Sequence, residues 1–111
     1  MVIDRDSYGE PMVITHQHTL TQAEAIERLH GFTAALKRQW GDRVASSTEQ
    51  WHGNTLSYYI KGKLGREFQG TVTATADVVE VTVLSESLSS RIARGIAETR
   101  IKAALTEALG D

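Results

Sequence analysis

EFQGTVTATADVVEVTVL, residues 67–84, decides the fold. Phe68, Gly70, Val72 and Ala74 alternate with Gln69, Thr71, Thr73 and Thr75, and after a turn at Ala76-Asp77 the valines 79, 81 and 83 alternate with Glu80 and Thr82. A period of two sends successive side chains to opposite faces of a strand, so each run has one apolar and one polar face. A threonine-rich outer face is at home in water. Only the inner face needs cover, as in an antiparallel sheet packed on one side.

Working backwards, Leu56, Tyr58 and Ile60 alternate with Ser57, Tyr59 and Lys61, and a further strand runs from about Arg43 to Trp51. Between them Gly53-Asn54 is a pair that favours the positive φ of a two-residue hairpin turn. Gly62-Lys63-Leu64-Gly65-Arg66 makes the next connection, so the region reads as a four-stranded meander. Upstream, Thr21-Gln-Ala-Glu24 is a capping box, and Ile26, Leu29, Phe32 or Thr33, Leu36 and Trp40 recur at helical spacing until Gly41. This predicts one helix, with Glu24 and Arg28 paired four residues apart on its solvent side. Before it, Met12 to His18 alternates as a short strand. After the meander, serines at 85, 87, 89 and 90 offer caps for a last helix whose apolar positions are Ile92, Ile96, Ile101, Ala104, Leu105, Ala108 and Leu109.

The expected architecture is a two-layer α+β domain, a four- to five-stranded antiparallel sheet with two helices on one face, in the order β-α-β-β-β-β-α. Strand order 2-3-4-5-1, with the first strand antiparallel to the fifth, gives a helix-grip-like arrangement in which space between helix and sheet forms an apolar pocket. At 111 residues the chain has the length of one domain. Residues 1–11, closed by Pro11, read as a loose N-terminal leader, and 12–111 as a single α+β domain.

Composition narrows the function classes. Twelve Lys and Arg against 14 Asp and Glu give a net charge of −2, which disfavours a general nucleic-acid binder. The absence of cysteine removes disulfides, thiolate metal sites and a cysteine nucleophile, and suits a cytoplasmic protein. No apolar run approaches the roughly 20 residues that span a bilayer.

Individual motifs point the same way. His16 and His18 face one side of a strand as a metal-chelating pair would, but a third ligand is missing, and a hydrogen-bonded strand-end pair is the simpler reading. No metal or cofactor is expected. Gly62-Lys63-Leu64-Gly65 matches the G-x-x-G loop that grips nucleic-acid backbone between two helices, yet here it joins two strands. The serines lack a nucleophile elbow and the carboxylates are scattered, so a non-catalytic protein is expected. Trp40, Trp51, Tyr58 and Phe68 fill the core or border a pocket. Arg91, Arg94, Arg100 and Lys102 give the last helix a basic excess that would suit an acidic partner or a solvated face.

Taken together, His18-Thr-Leu-Thr-Gln-Ala23 with Arg28, Trp51-His-Gly-Asn-Thr-Leu56 with Tyr58, Gly65-Arg-Glu-Phe68-Gln-Gly70, Val79-Glu-Val81 and the isoleucine-rich last helix resemble the polyhydroxyalkanoic acid system family, also called the granule-region family. The resemblance spans roughly residues 12 to 109. It implies a bacterial, cytoplasmic, granule-associated accessory protein that binds the polyhydroxyalkanoate granule surface or a granule protein, with His18 and Arg28 as its polar pattern residues. Self-association into a homodimer through an edge strand or the last helix belongs to the same interaction-module reading. The alternative is a small helix-grip-like carrier whose apolar ligand, an acyl chain for example, is bordered by Tyr58, Phe68, Val81 and Ile96.

Overall fold

In a computed structural model, which describes residues 11–63, 65–85 and 91–110, the chain forms five strands and three helices. They run β1 (Met12–Gln17), α1 (Gln22–Leu29), α2 (Phe32–Trp40), a 3-10 turn (Gly41–Arg43), β2 (Val44–His52), β3 (Thr55–Gly62), β4 (Glu67–Ala74), β5 (Val78–Leu84) and α3 (Arg91–Leu109). The sheet is antiparallel throughout, in the order β1-β5-β4-β3-β2. That is the expected order, and the expected two-residue turn at Gly53-Asn54 joins β2 to β3, with Gly53 at φ 61°. The leader through residue 10, Leu64 of the glycine-rich connection, and the caps sought at Ser87, Ser89 and Ser90 lie outside the described residues.

Register places the apolar residues in rows across one face. Ile14 pairs with Val81, Val81 with Val72, Val72 with Leu56, and Leu56 with Trp51. The valines and leucine of this row are fully buried with Leu29, Phe32, Leu36, Ile101 and Leu105 from the helices, so the core is the layer between sheet and helices. The opposite face carries a threonine ladder in which Thr71 and Thr82 hydroxyls meet at 2.8 Å.

The first helix departs from its expected form. Instead of one helix from Thr21 to Gly41 there are two, divided at His30-Gly31, where N–H groups of both residues bond three residues back, to Glu27 and Arg28 carbonyls. Glycine is a weak helix former, and a tightened 3-10 turn ends α1 there. The capping box at its start is present, with Glu24 N–H donating to Thr21 Oγ1 at 3.1 Å and the Glu24 carboxylate accepting from Thr21. The last helix also departs. Ile101, Ala104, Leu105 and Leu109 face inward, whereas Ile92 is 78% exposed and Ile96 52%. At about 100° per residue, Ile92 stands roughly 180° around the helix from Ile101, so both cannot face one sheet.

One contact fixes the middle of the sheet. Tyr58, on the buried face of β3, donates its hydroxyl to the Thr82 carbonyl of β5 at 2.8 Å, passing over β4 at Gly70. A Cβ on Gly70 would lie 1.9 Å from that carbonyl oxygen and 3.0 Å from the Tyr58 hydroxyl, so no other residue fits. Thr71 N–H beside it donates to Thr82 Oγ1 at 3.0 Å. Burial pushes the Tyr58 phenol well above the usual tyrosine range, so it remains a donor at every ordinary pH.

Gly70→Ala is expected to cost at least about 3 kcal/mol, because backbone must move and the tyrosine bond is lost, while Tyr58→Phe costs about 1–2 kcal/mol. Urea unfolding measures both. The hydroxyl and backbone bonds from Thr21 hold the Glu24 carboxyl below its ordinary range. A depressed carboxylate stabilises the fold above its unfolded value and loses that contribution as pH falls through the folded one. The Glu24 side-chain titration, followed by NMR, is therefore expected to move up in Thr21→Val.

Candidate functional site

His18 and Arg28 turn out to be fastened to the frame. His18 is buried just after β1, its backbone N–H bonded to the Asp77 carbonyl at 2.9 Å and its Nε2 3.1 Å from the Thr75 carbonyl. Gln22 and Asn54 side chains donate to the neighbouring Ala74 carbonyl at 2.9 and 3.0 Å. The three side chains thus gather on two successive carbonyls where β4 ends and the turn to β5 begins. Nδ1 of His18 is buried and has no hydrogen-bond partner among the described residues, so the ring's link to the frame is the Nε2 bond to the Thr75 carbonyl. An open hollow of about 400 Å³ lies beside it, lined by Gln17, His18, Thr19 and Asp77.

Arg28 does not pair with Glu24 in the expected way. Its guanidinium donates to the Leu109 carbonyl at 2.7 Å, where α3 ends and four carbonyls lack helical partners. A cation is favourable at the negative end of the helix dipole. Gly110 makes room for it: its φ is 78°, and a Cβ there would lie 2.5 Å from an Arg28 terminal nitrogen. Arg100 acts in the same way on α2, donating to the Gln39 carbonyl, and Arg38 pairs with Glu107 at 2.6 Å. Lys102 pairs with Glu98 at 3.0 Å. Much of the basic excess of the last helix is thereby engaged within the molecule.

The four residues proposed to border a carrier pocket fall into different surroundings. Tyr58 and Val81 are buried in the core, Phe68 lines a small cleft with Trp40, and Ile96 faces outward from α3. That cleft holds about 80 Å³, against the several hundred of a typical small-molecule pocket. The core between sheet and helices is closed by fully buried Leu29, Phe32, Leu36, Leu56, Ile101 and Leu105.

The outward face of α3 is the concave surface that sequence reasoning missed, and helical arithmetic on Ile92 and Ile96 would have found it. An open groove of about 490 Å³ runs along it, lined by Ile92, Gly95, Ile96, Thr99 and Ala103, with Gln39 of α2 and Arg100 at its side. Apart from Arg100, engaged with α2, the lining is uncharged. Among the described residues no three His, Asp or Glu gather as metal ligands would. His16 and His18 therefore lack a third donor there, and no described helix is long and apolar enough to cross a membrane.

Residues 12–109 match the family described as "Putative polyhydroxyalkanoic acid system protein", and the chain belongs to that family. No curated protein matches it.

If Arg28 serves the end of α3, Arg28→Ala lowers stability by about 0.5–1 kcal/mol and speeds amide exchange in the last turn of α3 while leaving β1 unchanged. Thermal unfolding and hydrogen exchange read both effects. Equal exchange in the two proteins would remove that role.

Proposed function

We propose that this member of the polyhydroxyalkanoic acid system family is a non-catalytic accessory protein that binds the storage granule through the outward face of α3. The observation carrying this reading is the exposure of Ile92 and Ile96 on a helix whose other face is already buried in the core. Large apolar side chains gathered on one exposed face mark a surface that meets something apolar. A polyester granule coated with protein offers such a surface, and the family description supplies the link to polyhydroxyalkanoate. The scattered placement of carboxylates, and hydroxyls engaged in capping and ladder bonds, support a binding role over catalysis.

Burying one isoleucine side chain from water is worth about 1.5–3 kcal/mol, so removing two of them from a contact weakens it by well over ten-fold. Purified protein is expected to float with isolated granules in a density gradient, beside an unrelated acidic protein of similar size that does not. Flotation with protein-stripped polymer means direct contact with polyester; flotation with native granules alone means a granule protein is the partner. The double variant Ile92→Asp, Ile96→Asp is expected to keep its melting temperature within a few degrees and to lose at least about ten-fold in the floated fraction. Undiminished flotation of the variant would remove α3 from the interface, and failure of the unaltered protein to float with either preparation would overturn the reading.

A further inference from the structure

The cleft between Trp40 and Phe68 carries an inference that does not depend on granule binding. Trp40 ends α2 and Phe68 lies near the start of β4, their ring centroids 5.5 Å apart and tilted by 32°. Val44 and Ile60 complete the apolar lining, and Arg43 and Arg66 line the same cleft. Backbone holds the two arginines in place: Lys63 N–H donates to the Arg43 carbonyl at 2.9 Å, and Gly62 N–H to the Arg66 carbonyl at 2.6 Å. Among the described residues no Asp or Glu lines the cleft. Neither guanidinium has an ion pair or hydrogen bond to a side chain that is described, and both residues are exposed.

Two cations that line one apolar crevice, with no counter-charge among the described side chains that line it, favour an anion there. A guanidinium recognises carboxylate or phosphate through two parallel hydrogen bonds, and a low-dielectric wall strengthens that attraction. The apolar part of the ligand is limited by volume. A dry cavity of about 150 Å³ accepts benzene, so a cleft of about 80 Å³ accepts a fragment of roughly three or four carbons. We propose that the Trp40–Phe68 cleft binds a short acyl or alkyl chain ending in an anionic group, with the chain lying against the aromatic rings, Val44 and Ile60 and the head held by Arg43 and Arg66. Gly62 then has a part in ligand binding, since it lies between the backbones of the two arginines, where a Cβ would sit 3.3 Å from the Arg66 carbonyl and 3.4 Å from that of Arg43.

Butyrate and butyl phosphate, titrated into the full-length isotope-labelled protein, separate a carboxylate head from a phosphate one. Acetate lacks the chain and 1-butanol lacks the charge. Butyrate, butyl phosphate or both are expected to shift the amide signals of Arg43, Val44, Gly62, Arg66 and Phe68 saturably, with a dissociation constant on the order of 1 mM for so small a ligand. Acetate and 1-butanol should bind at least about ten-fold more weakly. Arg43→Gln with Arg66→Gln should weaken binding by at least about ten-fold. Raising the salt from about 0.02 M to about 0.5 M should weaken it several-fold in the unaltered protein, a test that does not rely on the variant folding. Absence of saturable shifts at these amides, equal binding of 1-butanol, or affinity indifferent to salt would each overturn the proposal.

Discussion

A buried hydroxyl must find an acceptor, and in this domain the one on Tyr58 reaches the Thr82 carbonyl across a strand that has no side chain at Gly70. The bond ties β3 to β5 over the top of β4. It also sets what can sit above: Phe32 of α2 meets the Tyr58 ring edge-on, at 6.3 Å between centroids. The layer of helices is therefore seated on a tyrosine whose own position is dictated by a missing methyl group two strands away from the edge. Unpaired, the carbonyl and the phenol would each leave a buried polar atom, and the close approach of β4 and β5 would lose its reason.

The helices share one core, and cations tie their ends together. Arg28 of α1 closes the last turn of α3, and Arg100 of α3 closes the last turn of α2. Such residues contribute in two ways, by satisfying orphan carbonyls and by opposing the dipole. Fixing α2 against α3 along this seam leaves the far side of α3 without a neighbour among the described residues. The exposed isoleucines and the groove beside them follow from that geometry, because a helix held at both flanks presents whatever remains to solvent.

Alternation and turn chemistry made the sheet legible. Val79, Val81 and Val83, the Gly53-Asn54 turn and the Thr21 capping box each reflect a local rule, and local rules survive folding. The division of the first helix was harder to read, because His30-Gly31 interrupts a stripe that remains periodic on both sides of it. His30 instead turns its ring onto Trp51 of β2, 4.6 Å away, a contact between residues that no pattern connects. His18 and Arg28 stand out in the sequence only as polar positions of the family pattern, because their partners are backbone carbonyls at Thr75 and Leu109, and carbonyls leave no trace in a sequence. The cleft at Trp40 was equally hidden. Its arginines come from segments on either side of two strands, and only the register of β2 against β3, with its irregularity between Val44 and Ser46, brings them to one place.

The pairing of β1 with β5 has a kinetic consequence. Neighbouring strands from β2 to β5 are joined by short connections, so each can zip onto the last with little loss of chain freedom. More than sixty residues separate every β1 residue from its partner in β5, as Gln17 and Val78 illustrate. Closing so long a loop brings an entropic cost that must be met before the contacts at Met12 and Ile14 reward it. The meander is thus the natural seed of folding, and β1 is a clasp that shuts on it afterwards. The same order, run backwards, makes β1 the first strand to be released, and its release uncovers the apolar flank of β5.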